Sequence, residues 1–148
     1  VTTSGTSVDF TGIPSTATRI TLNFNGISTN GTSVPIIQLG DSGGVETSGY
    51  LGNTGSIFAA PVATSYTTGF ALDSATAASV RYGTMVLNLL NAATFTWAAI
   101  AAIANVPGAV SSLTAGPKST SAVLDRVRLT TVGGADTFDA GSMNISWE

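Results

Sequence analysis

The chain contains no cysteine and no histidine. Without cysteine there is no disulfide framework and no thiol nucleophile. Without histidine there is no Ser-His or Cys-His system and no zinc site of the usual kind. These absences leave the redox compartment open. Outside a cell, such a chain is stabilised by packing or oligomerisation rather than by cross-links. Charge is scarce as well, at 9% of residues, where about 25% is usual. With five basic residues the chain lacks the clustered Lys and Arg that nucleic-acid binding needs. Long hydrophobic runs are missing. The most apolar stretch, 92–106, is interrupted by Thr94, Thr96 and Asn105 and is too short to span a membrane. Nothing at the start resembles a signal peptide, and Val1 reads as an internal or processed start.

What is present is hydroxyl, glycine and apolar side chain. Hydrophobic residues make up 43% of the 148, with 17 glycines and a net charge of −3. This is the composition of a folded domain, not of a disordered tail. The length fits one domain, 1–148, with a core large enough to stand without staples. Its surface is rich in hydroxyls and amides, which suits assembly interfaces and sugar-contacting faces.

Strand signals dominate. SVDFTG (7–12) alternates up to the Gly12-Ile13-Pro14 break. In TRITLNFNGI (18–27), Ile20, Leu22 and Phe24 face one way and Thr21, Asn23 and Asn25 the other, the pattern of a half-buried strand. Asn30-Gly31 is a tight-turn signal before the strand VPIIQLG (34–40). The segment 41–56, rich in Gly, Ser and Asn, reads as a loop or bulged edge. IFAAPVA (57–63) and YTTGFAL (66–72) are short strand candidates, and 73–79 reads as a turn. RYGTMVLNLLN (81–91) places Met85, Leu87 and Leu89 on one face, with Val86 and Leu90 opposite, so that both sides read as covered. ATFTWAAIAAIA (93–104) is ambiguous. Its alanines favour a helix, whereas Phe95 and Trp97 alternating with Thr94 and Thr96 favour a strand. AVLDRVRLTTV (122–132) and GSMNISWE (141–148) close the chain as a strand, a turn and a strand. Nine or ten strands without a βαβ rhythm predict an all-β, antiparallel two-sheet sandwich, jelly-roll-like.

Three stretches carry more than composition: VDFTGIPSTATRITLNFNGISTNGTS (8–33), QLGDSGGVETSGYLG (38–52) and LDRVRLTTVGGADTFDAGSMNISWE (124–148). Together they resemble the C-terminal domain of tailed-bacteriophage tail fibre and tailspike proteins. The resemblance is weakest over 92–117 and departs from the pattern at Ser15-Thr16-Ala17. It favours the strand reading of 93–104. It implies a homotrimeric virion domain at the extracellular tip of a fibre, with other tail proteins and a host polysaccharide or lipopolysaccharide as partners. It supplies no catalytic motif, no cofactor and no membrane insertion.

Four groups of residues invite a functional reading. The acids Asp41 with Glu46, and Asp136 with Asp139, could flank a sugar as glycosidase carboxylates about 5–10 Å apart. The alternative is that Asp41 and Asp136 cap turns through nearby backbone amides. The Gly133–Phe138 run resembles part of a glycine-rich calcium nonapeptide, which binds only when stacked and stands here in one copy, and the Asp41–Glu46 loop lacks the alternating ligands of an EF-hand. Arg126 and Arg128 share one strand face, pointing away from the Val127 and Leu129 side. They pair either with acids on neighbouring strands or with Asp139 or Asp125 of another subunit. Among the rings, Trp97, Tyr50, Tyr66, Tyr82 and Trp147 are candidates for stacking on a sugar; Trp97 and Trp147 read as core or interface, and Tyr50 as the loop-borne sugar contact.

The expectation is therefore a non-enzymatic fibre or spike tip. Glycan contacts are expected at Tyr50, Asn53, Asp41 and Asn30, on the loops 41–56 and 25–33. Subunit contacts are expected at Arg126, Arg128, Asp139 and Trp97. The rivals are a trimerisation cap or decoration domain with no ligand, and a small glycan hydrolase.

Overall fold

Alternation of apolar and polar residues, broken by Gly, Pro and Asn, sets the chain's rhythm, and the strands follow it. The computed structural model describes residues 1–57, 62–73, 79–108 and 110–148. Twelve strands lie among them: β1 (Val8–Thr11), β2 (Arg19–Thr29), β3 (Pro35–Asp41), β4 (Gly44–Val45), β5 (Gly52–Ile57), β6 (Val62–Tyr66), β7 (Phe70–Ala71), β8 (Val80–Asn91), β9 (Thr96–Val106), β10 (Val110–Ser119), β11 (Arg126–Thr131) and β12 (Phe138–Trp147). No helix occurs among the described residues. Parts of two expectations, the strand over 57–63 and the turn over 73–79, fall on residues 58–61 and 74–78, outside the described residues.

The strands form two antiparallel sheets. One runs β1-β11-β3-β4, with β7 also pairing β3; the other runs β12-β2-β8-β9-β10-β5-β6. The apolar faces meet between them. Ile20, Leu22, Phe24, Met85, Leu87, Trp97 and Ile103 from the larger sheet share one core with Val8, Ile37, Leu39, Val127 and Leu129 from the smaller. Period-2 patterning does this directly, since every second residue of β2, β8 and β9 reaches the interior. Segment 96–106 is strand β9, so the strand expected over 93–104 is there but begins at Thr96: residues 92–95 form a turn, with Phe95 at φ +50, and the alanines alternate between core and surface instead of forming a helix.

Two turn signals correspond to something other than a hairpin. Asn30-Gly31 joins β2 to β3, and Gly133-Gly134 joins β11 to β12, yet in each case the two strands belong to different sheets. Both edges of β2 are already taken, by β12 and β8. The chain therefore arches across the core instead of turning back. The closing strand–turn–strand is an arch of the same kind.

The two arches lie together. Asn30 N–H donates to Thr137 O at 3.0 Å, and Thr137 N–H donates to Asn30 Oδ1 at 2.9 Å. Ser33 N–H donates to Asp136 Oδ2 at 2.7 Å, and Gly133 N–H to Ser33 Oγ at 2.7 Å. Gly31 does not sit at positive φ. It is required by space, because a Cβ there would lie 2.2 Å from the Asp136 carboxyl carbon.

Candidate functional site

The segment between β3 and β5, expected to be an open loop, folds inward. Tyr50 is fully buried. Its hydroxyl accepts from Leu39 N–H at 2.6 Å and donates to Glu46 O at 2.9 Å. Its ring meets Phe70 edge-to-face at 5.1 Å. Burial pushes this phenol well above its usual range. Tyr50 is thus a core residue and offers no ring to a sugar. The sequence showed its Gly- and Ser-rich neighbours, but not that the short strands β4 and β5 would draw the ring beneath β3.

Around Tyr50 the structure brings together a charged cluster. Asp41 is buried and accepts from Gly43 N–H, Ser121 Oγ and Ala122 N–H, each at 2.8 Å. The Ser121 hydroxyl, followed by the Gly43 amide, holds its carboxyl below the usual carboxylate range. The Gly43 contact is the turn chemistry that the sequence suggested; the Ser121 and Ala122 contacts come from the β10–β11 connection. Asp41 has no surface to offer a ligand. Glu46 pairs with Lys118 and accepts from Ser121 N–H at 2.6 Å and from Ser121 Oγ at 2.8 Å. Burial raises the Glu46 carboxyl, but Lys118 and Ser121 outweigh it, and the net shift is downward. Lys118 is itself buried, 5.4 Å from the centre of the Tyr50 ring. The two carboxylates converge on one serine hydroxyl and hold the loop to the β10–β11 connection. Asp136 and Asp139 take separate partners, Ser33 N–H and Ser28 Oγ. Among the described residues, no group of three or more acidic side chains could hold a metal ion.

The arginines have partners within the chain. Arg128 makes a bidentate pair with Asp9 on β1, Nε to Oδ1 at 2.6 Å and Nη2 to Oδ2 at 2.7 Å. Arg126 pairs with Asp125, Nε to Oδ1 at 2.7 Å. Val127 and Leu129 between and beside them are fully buried, as the alternation required. Trp97, expected at a subunit contact, lies in the core at 3% exposure. It borders an apolar pocket of about 60 Å³ with Phe95, Leu89 and Leu124. Asn53 and Asn30 are exposed. Asn53 Oδ1 accepts from Ser65 Oγ at 2.5 Å, and Asn30 is spent on the arch.

Two features escaped the sequence reading. One is an ion pair, Arg81 Nε to Asp73 Oδ2 at 2.8 Å, with both side chains fully buried. Burial pushes the Asp73 carboxyl up despite the Arg81 charge. Asp73 Oδ1, Arg81 Nη2 and Asn105 Oδ1 have no hydrogen-bond partner among the described residues. Nothing in a period-2 pattern announces an arginine on the core side.

The other is the outer face of the larger sheet. Three successive cross-strand rows occupy it. They run Ser146-Thr21-Val86-Ile100-Ala115-Asn53, Asn144-Asn23-Thr84-Ala102-Leu113-Gly55 and Ser142-Asn25-Tyr82-Ala104-Ser111-Ile57. None of these residues is charged. The β12–β2–β8 half carries amides and hydroxyls. The β9–β10 half carries small and apolar groups, with Ile100 62% and Leu113 54% exposed. Leu90, expected to be covered, is 64% exposed. The alternation of β2 and β9 was the available signal: it turns Thr21, Asn23 and Asn25 outward and sets small alanines on one face of 93–104, but it does not show which of these residues line up across strands. Neither a protein-family model nor a curated protein matches this chain.

Proposed function

We propose that the protein is a non-enzymatic assembly and attachment domain of a bacteriophage tail fibre or spike. On this reading it is a jelly-roll-like homotrimer in the extracellular virion, meeting a host surface polysaccharide or lipopolysaccharide. The observation that carries this reading is the exposed small and apolar surface of β9 and β10 on the outside of the seven-stranded sheet. A face of Ala98, Ile100, Ala102, Ala104, Leu113 and Ala115 without charge has little to keep it in water. Small residues let another backbone approach closely, and apolar patches of this kind mark interaction sites. Symmetric association of identical copies is the commonest way to cover such a face. The resemblance of 8–33, 38–52 and 124–148 to fibre and spike C-terminal domains supports the virion setting.

The buried, saturated state of Asp41 and the commitment of Glu46 to Lys118 speak against a glycosidase there. A group already accepting three hydrogen bonds does not trade protons with a substrate. The intersubunit role expected for Arg126 and Arg128 gives way to the β9–β10 face, because each guanidinium group has a carboxylate partner within the chain. Sedimentation across a dilution series tests the assembly: a three-copy species that dissociates only on dilution supports it, and a monomer at every concentration refutes it.

A further inference from the structure

The expected sugar contact at Tyr50 is lost to the core, yet another tyrosine stands where a sugar could reach it. Tyr82 is 43% exposed on the outer face of β8. Its direct cross-strand neighbour on β2 is Asn25. Beside them lies Gly26, at φ +71, in the bulge between Asn25 and Ile27. A Cβ at Gly26 would sit 3.4 Å from the Tyr82 hydroxyl and 3.7 Å from Cε1 and Cζ. The ring therefore rests against bare backbone, which steadies it without covering its outward side. One row along, Asn144, Asn23 and Thr84 stand abreast on β12, β2 and β8. Thr84 Oγ1 donates to Asn23 Oδ1 at 3.0 Å, fixing that amide. The exposed side chains of Asn25 and Asn144 have no hydrogen-bond partner among the described residues.

We infer that Tyr82, Asn25, Asn23 and Asn144 form a binding surface for a neutral glycan. A pyranose presents a C–H face that packs on an aromatic ring and a rim of hydroxyls that both donate and accept. A ring beside one free amide, with a second free amide in the next row two strands away, answers both needs, since each amide also donates and accepts. The absence of charge from these rows selects neutral hexose or N-acetylhexosamine units over uronic or sialic acids, whose carboxylates would find no cation. The spread of these side chains over three adjacent strands selects an extended chain lying across them, not a single sugar. The inference deepens the attachment half of the proposal above and rests on it. Three copies would multiply a weak single-site contact.

The test is a nuclear magnetic resonance titration of the whole chain with neutral hexose and N-acetylhexosamine oligosaccharides, and with sialylated ones as the opposing arm. Side-chain amide signals of Asn25 and Asn144 are expected to shift with the neutral set alone. Tyr82→Ala is expected to weaken binding about tenfold, while Tyr82→Phe, which keeps the ring, retains most of it. Unchanged dispersion in the spectrum of each variant confirms that it is folded. Binding that survives Tyr82→Ala and Asn25→Ala/Asn144→Ala unchanged overturns this placement and leaves the attachment reading standing. Preference for the sialylated set overturns the neutral-glycan assignment. No binding by the wild-type chain to any probe overturns glycan attachment itself.

Discussion

Asp136 Oδ2 accepts a hydrogen bond from the backbone N–H of Ser33 at 2.7 Å, across 103 residues of sequence. That contact ties the two arches by which the chain passes between its sheets. Asp136→Ala leaves the Ser33 amide without this partner and is expected to lower stability by about 1 kcal/mol. Gly31→Ala drives a methyl into the same carboxylate and is expected to cost at least as much. In a urea titration both midpoints fall, and combining the two changes costs less than the sum, because they act on one contact.

The Arg81–Asp73 pair gives a prediction in which the double change costs less than the single one. Arg81→Met alone strands a buried carboxylate and is expected to cost about 3–5 kcal/mol. Replacing both, Asp73→Leu with Arg81→Met, removes the desolvated charges together and restores stability to near the wild-type level. Thermal unfolding of the three proteins checks this.

Acid is expected to loosen the fold. Asp9, Asp41 and Glu46 all have folded-state pKa values below their ordinary values of 3.8, 3.8 and 4.5. Their contribution is complete above those ordinary values and is lost as pH falls through the lowered ones. Asp73 is shifted up by burial, and its contribution changes in the opposite direction, which offsets part of the loss. The melting temperature should hold from about pH 7 to about pH 5 and fall below about pH 4. Asp41→Asn should melt lower at neutral pH and show a shallower acid decline.

Tyr50→Phe separates a core tyrosine from a ligand-binding one. The change leaves the buried Leu39 amide unpaired and is expected to cost about 1–3 kcal/mol in denaturant unfolding. Oligosaccharide binding is expected to be unaffected, since the ring faces Phe70 and not solvent.

Much of the fold was legible because its signal is local. The alternation of Ile20, Leu22 and Phe24, and of Val127 and Leu129, fixes which face of each strand is buried without reference to any other strand. What was not legible is relational. Asn30-Gly31 looks the same whether it closes a hairpin or opens an arch; the outcome depends on β12 and β8 having claimed both edges of β2. Tyr50 sits among turn residues, and its burial depends on Leu39 and Phe70, 11 and 20 positions away. The arginine partners were half legible: a face shared by Arg126 and Arg128 implies acids nearby, but only the β1–β11 pairing names Asp9. The outer-face site was half legible: the alternation turns Asn23 and Asn25 outward and Tyr82 is one of the candidate rings, but only the β2–β8 register sets Asn25 beside Tyr82.

Copies of this domain are proposed to associate through the β9–β10 face. Light scattering of the wild-type chain beside Ile100→Asp tests it most directly. Ile100 is 62% exposed, so the substitution leaves the core intact and places a charge in the middle of the proposed contact. The account predicts a wild-type mass of three times 14.8 kDa and a folded Ile100→Asp monomer. A wild-type monomer, or a trimer that Ile100→Asp leaves unchanged, would contradict it.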